Sequence, residues 1–117
     1  MIPDVMFSSR LDLVDTLMAH YNALDADAYA DMFAEGGSEA MYRGDVVREG
    51  REGVRSGMKA VFAEFPENRA DVLQKFELGD RVVLHERVYR SSTAEPFDVM
   101  TVYSFRGDEI DRVEFIR

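Results

Sequence analysis

His85, Arg87 and Tyr89 occupy alternate positions in the run GDRVVLHERVYR, residues 79–90. Side chains alternate faces along a strand, so these three share one face. Their chemistry is complementary. An imidazole titrates near neutrality and suits a general base. A guanidinium keeps its charge and suits an anion. A phenol donates a hydrogen bond. A buried guanidinium needs a partner. For Arg87 that partner is Glu39, a nearby carbonyl, or the carboxylate, enolate or phenolate of a small ligand. His85 reads either as a base or as a polar residue satisfied within the sheet. His20 is expected on a helix surface. With two histidines and no carboxylate at ligand spacing, no metal site is expected.

The elements that must carry these residues follow from periodicity. Ser9 and Asp12 have capping-box spacing, and a helix follows with Val14, Met18 and Tyr21 beside Leu13, Leu17 and Leu24. Asp27 is expected to cap a short second helix bearing Tyr29, Met32 and Phe33, ended by Gly36-Gly37. Residues 38–43 read as a strand, Gly44-Asp45 as a turn, and 46–48 as its return. Gly50 opens a third helix with the stripe Val54, Met58, Val61, Phe62 and Phe65, stopped at Pro66. The period then switches to two, with strands expected over 71–78, 81–90, 96–106 and 109–117. Helices early and consecutive strands late give an α+β class with a mainly antiparallel sheet.

The chain has 117 residues, 46% of them hydrophobic, which fits one domain with a real core. It has no cysteine, which excludes disulfides and thiolate chemistry and fits a cytoplasmic location. Residues 1–4 carry no basic segment followed by a long apolar run, so no leader is expected, and no apolar stretch is long enough to span a membrane. The net charge of −9 makes nucleic acid a poor partner. Of the 14 basic residues 12 are arginine, the side chain better suited to planar anions.

The order of elements resembles the nuclear transport factor two-like superfamily, which includes SnoaL-like polyketide cyclases, ketosteroid isomerases and limonene epoxide hydrolases. The resemblance is carried by His20-Tyr21-Asn22, by 25–33, by Gly50-Arg51-Glu52-Gly53-Val54, by Phe65-Pro66 and by Gly79-Asp80-Arg81-Val82-Val83. The tail from Phe97-Asp98-Val99 through Phe105-Arg106-Gly107-Asp108-Glu109-Ile110 extends it over almost the whole chain. It implies a strongly curved sheet wrapped against three helices, a cone with an internal pocket, and a homodimer across the outer sheet face. It does not imply one chemistry.

Against the isomerase pattern, Met41 stands where the carboxylate base would be and Thr101 where a protonated aspartic acid would be; Tyr21 matches the oxyanion tyrosine. Against the epoxide hydrolase pattern, Arg87 matches, while Tyr89 and Phe115 replace the two essential aspartates. Neither mechanism is expected. The wall facing the pocket is expected to comprise His85, Arg87, Tyr89, Val99, Thr101, Tyr103, Val113 and Phe115. Met18, Tyr21, Phe33, Glu39, Met41, Met58 and Phe62 would close it, or would simply be core. Tyr21 reads as an oxyanion donor or as a tyrosine bonded to a carbonyl. The opposite face, Val82, Leu84, Val88, Met100 and Val102 with Glu86 among them, would be the dimer surface. Two functions follow. One is a cofactor-free isomerase- or cyclase-type enzyme acting on a small, mostly apolar oxygenated or anionic molecule, with His85, Tyr21 and Arg87 as the catalytic candidates. The other is a non-catalytic dimeric module that binds a ligand or a protein.

Overall fold

A computed structural model describes residues 9–117; the reading of residues 1–4 as lacking a leader lies outside them. Helix α1 (Arg10–Asn22) starts where expected. Ser9 is extended, and its Oγ accepts from Asp12 N at 3.1 Å. Leu13, Val14, Leu17 and Met18 form its buried stripe. Its end is tied to the sheet by Asn22, whose amide donates to Ala70 O at 3.0 Å and accepts from Ala70 N at 2.8 Å. Helix α2 (Ala26–Asp31) is capped by Asp25, not Asp27: Asp25 Oδ1 accepts from Ala28 N at 3.0 Å. Asp27 instead joins Asp31 and Glu52 around the Arg55 guanidinium, which fastens α2 to α3 (Gly50–Glu64).

Strand β1 (Phe33–Met41) begins five residues earlier than residue spacing implied. Phe33, expected on α2, is its first residue, and Gly36-Gly37 lies inside the strand instead of ending a helix. The cause is a close approach of backbones. A Cβ on Gly37 would meet Ile110 O at 2.7 Å. A glycine within a strand often marks such an approach. Strands β2 (Val46–Glu49), β3 (Arg69–Leu78), β4 (Arg81–Tyr89), β5 (Phe97–Arg106) and β6 (Glu109–Ile116) complete one sheet. Its order is β2-β1-β6-β5-β4-β3; β1 and β6 are parallel and every other pair is antiparallel. The sheet is open and mixed, mainly antiparallel, with three helices packed on it, as the expected class required. Among the described residues no helix is long and apolar enough to cross a membrane.

The faces of β4 are exchanged relative to expectation. Val82, Leu84, Glu86 and Val88 are buried, and His85, Arg87 and Tyr89 lie on the outer face. Two physical reasons fix this. Burying Val82, Leu84 and Val88 removes three aliphatic side chains from water at the cost of one carboxyl. The alternative would desolvate an imidazole, a guanidinium and a phenol. Register agrees: Leu84 opposes Thr101 and Glu86 opposes Val99, and paired residues share a face. With Val99, Thr101 and Tyr103 inward, Leu84 and Glu86 must be inward too. Met100 and Val102 do face outward, so the expected dimer surface loses Val82, Leu84 and Val88 to the core.

Candidate functional site

Between the inner sheet face and the helices lies a cavity of about 230 Å³, just below the roughly 300–1,000 Å³ common for ligand pockets. Nine of the expected residues line it: Met18, Tyr21, Glu39, Met41, Met58, Val99, Thr101, Tyr103 and Phe115. Phe33, Phe62 and Val113 are buried in the core and do not line it; Phe62 stands edge-on to the Tyr21 ring at 5.5 Å. His85, Arg87 and Tyr89 are absent from the lining, as the exchange of faces dictates.

On the outer face Asp98 gathers two of these three. It accepts from Arg87 Nε at 2.8 Å, and His85 Nε2 lies 2.9 Å away. The Arg87 and His85 hydrogen bonds hold the Asp98 carboxyl down at about 2. Arg87 is thus satisfied by Asp98, not by Glu39 or a cavity ligand. Arg87→Ala should leave cavity chemistry intact and shift the melting temperature little, the difference shrinking further in high salt. A thermal melt at two ionic strengths checks this.

Two buried carboxyls dominate the cavity, and they differ in kind. Glu39 sits on β1 directly opposite Arg48 of β2. Its Oε1 accepts from Arg48 Nη1 at 2.9 Å and its Oε2 from Tyr29 Oη at 2.6 Å. Both oxygens are therefore occupied. Burial raises its pKa, and Arg48 and Tyr29 only partly oppose that. Gly57 of α3 makes the pair possible: a Cβ there would collide with Arg48 Nε and Cδ. Gly57→Ala, which would strengthen an isolated helix by about 1 kcal/mol, should instead destabilise this protein by about 1–3 kcal/mol by pushing Arg48 off a buried acceptor. Urea denaturation checks the sign, and a stabilised variant would contradict it.

Glu86 on β4 is the second carboxyl, and residue patterning placed it on the wrong face. It is 5% exposed. Its Oε2 accepts from Thr101 Oγ1 at 2.6 Å. Among the described residues no cation pairs with it. Desolvation raises its pKa above the ordinary 4.5, and the hydroxyls of Thr101 and Tyr103 oppose that only in part. The hydroxyls around it keep their protons, because burial raises the pKa of Tyr21, Tyr29 and Tyr103 alike. Among the described residues the cavity therefore holds a carboxyl with no cation partner and a raised pKa, together with phenols that keep their protons. Arg90, Phe97 and Arg117 also line the cavity and were not anticipated. Comparing the apolar count of the two β4 faces would have found Glu86.

Three helices on an open mixed sheet, with a cavity lined from both layers, define a nuclear transport factor two-like α+β cone. The chain belongs to the SnoaL-like domain family, whose model matches residues 14–113. It is similar to a cystatin-fold protein from Novosphingobium aromaticivorans, with 46% identity and a TM-score of 0.90 over 95% of this chain and 100% of that one. The fold is shared with a putative SnoaL-like polyketide cyclase from Jannaschia sp. CCS1, at 16% identity and a TM-score of 0.74 over 99% and 90% of the two chains. It is shared as well with SalBIII, an epoxide hydrolase/cyclase-like enzyme in pyran ring formation in the polyether salinomycin. That likeness is 19% identity and a TM-score of 0.78 over 92% and 88%. No curated protein matches the chain.

Proposed function

We propose that the cavity performs cofactor-free proton transfer on a small, mostly apolar oxygenated molecule, with Glu86 as the proton carrier. One observation carries the reading: Glu86 is a buried, cation-free carboxyl on the cavity wall, its pKa raised by desolvation. A base is most effective when its pKa approaches the working pH, and burial moves a carboxyl in that direction. Glu39 is unsuited because Arg48 and Tyr29 occupy both its oxygens. In the step, the Glu86 carboxylate removes a proton from a carbon beside a carbonyl. The electron pair moves onto the carbonyl oxygen, and the Tyr21 hydroxyl stabilises the oxyanion by hydrogen bonding. Glu86 then returns the proton, to the same carbon or to a conjugated one. His85 and Arg87, facing away from the cavity, take no part.

The test is deuterium wash-in from D2O at the α-carbon of a panel of small cyclic and aryl ketones, followed by NMR. Wild type should catalyse exchange, with a rate that rises with pH through the Glu86 pKa. Glu86→Gln should lose about 10²–10⁴-fold, the usual worth of a general base. Equal rates in the two proteins would refute the assignment. Absence of catalysed exchange in the wild type would favour the binding-module reading.

A further inference from the structure

The protein carries a net charge of −9, yet its cavity is lined by more cations than anions. Arg48, Arg90 and Arg117 face Glu39 and Glu86. Eight of the 12 arginines form ion pairs with carboxylates: 48, 51, 55, 69, 81, 87, 106 and 112. Among the described residues no carboxylate pairs with the other four, and two of these line this cavity. Arg90 Nη1 donates to the neutral Asn68 Oδ1 at 2.8 Å, and its guanidinium lies 5.1 Å from the centre of the Phe65 ring and 5.3 Å from that of the Phe97 ring. The Arg117 guanidinium lies 4.0 Å from the Phe97 centre. Rings hold guanidiniums in place, but they do not neutralise them.

We propose that Arg90 and Arg117, both beside Phe97, form a receptor for the carboxylate of a small acid whose apolar body fills the cavity. Among the described residues neither guanidinium has a carboxylate partner, and an anionic group on the ligand would supply one. This receptor rests on the proposed function only in setting the acid's reacting carbon toward Glu86; the anion binding itself does not require Glu86.

The probes are phenylacetate and its neutral isostere phenylacetamide, titrated calorimetrically. Wild type should bind the acid about tenfold or more tighter than the amide, the gain expected from one charge-assisted contact. Arg117→Gln and Arg90→Gln should each lower acid affinity by about tenfold and leave amide affinity unchanged. Arg87→Gln, which removes the same charge from the outer face, should bind the acid as the wild type does. Arg117 is exposed, so Arg117→Gln tests the idea even if Arg90→Gln fails to fold. Equal affinity for acid and amide, wild-type acid affinity in both variants, or no binding of either probe would overturn the receptor. Glu86→Gln separates the two proposals. Retained, arginine-dependent acid binding with an unchanged exchange rate would sink proton transfer alone; Glu86-dependent exchange without arginine-dependent binding would sink the receptor alone.

Discussion

Arg48→Met is expected to lower the unfolding free energy by about 3 kcal/mol at pH 8, and by clearly less at pH 5. Breaking a buried ion pair by removing one partner typically costs about 3–5 kcal/mol, because it leaves an uncompensated buried charge. Arg48 is 25% exposed and Glu39 only 1%, so water relieves the arginine end and the low end of that range applies. The pH dependence follows from Glu39. Burial already raises its pKa above 4.5, and loss of the guanidinium raises it further. A group whose folded pKa is raised stabilises the fold below its unfolded pKa, and that contribution is lost as pH rises through the folded value. The variant's deficit should therefore grow from about pH 4.5 upward, at up to about 1.4 kcal/mol per pH unit for one proton. Guanidinium denaturation at pH 5 and pH 8 measures it. Glu39→Gln in the same chain should restore most of the loss, since a neutral amide needs no counter-ion. A deficit independent of pH would show that Arg48 acts through packing alone.

Glu86→Gln is expected to separate activity from stability. Proton exchange should fall by about 10²–10⁴-fold, while the melting temperature at pH 8 should rise above wild type. Glu86 is buried without a cation and its pKa is raised, so its ionised form opposes folding. The sign is the same as for Glu39: wild type loses stability as pH rises through the Glu86 pKa, and the glutamine variant does not lose that part. Near pH 4 both carry a neutral side chain and the melting temperatures should converge. A site kept costly for its chemistry gives up that cost when the chemistry is removed. A variant less stable than wild type at both pH values would assign Glu86 a structural role.

Much of the architecture was legible because local chemistry and fold agree. Ser9 before Asp12, Gly50 before the Val54–Met58–Phe62 stripe, and the turns at Gly79 and Gly107 each encode their element without tertiary help; Gly50, Gly79 and Gly107 all have positive φ. The start of β1 was not legible. Phe33 and Gly37 are placed by contact with β6, a partner more than 70 residues away, and a helix-like local pattern cannot report that. The larger miss was parity on β4. Three polar residues at alternate positions looked like a functional wall, but a strand buries the face with more aliphatic surface. That choice carries Glu86 inward and sends His85 and Arg87 out to Asp98. Tyr21, Glu39, Met41 and Thr101 do line the cavity. Arg90 was missed with the parity of β4, because it continues the inward set Val82, Leu84, Glu86 and Val88; Arg117 continues the inward set Val113 and Phe115, and both line the cavity beside Phe97.

The reading depends on a proton-exchanging carboxyl held in the cavity, and the titration of Glu86 tests it most directly. Protein labelled with carbon-13 at the glutamate carboxyls, with the resonance assigned by its loss in Glu86→Gln, gives the midpoint from its chemical shift. The midpoint should lie above 4.5. A midpoint at or below 4.5, as for a carboxylate in water, would contradict it.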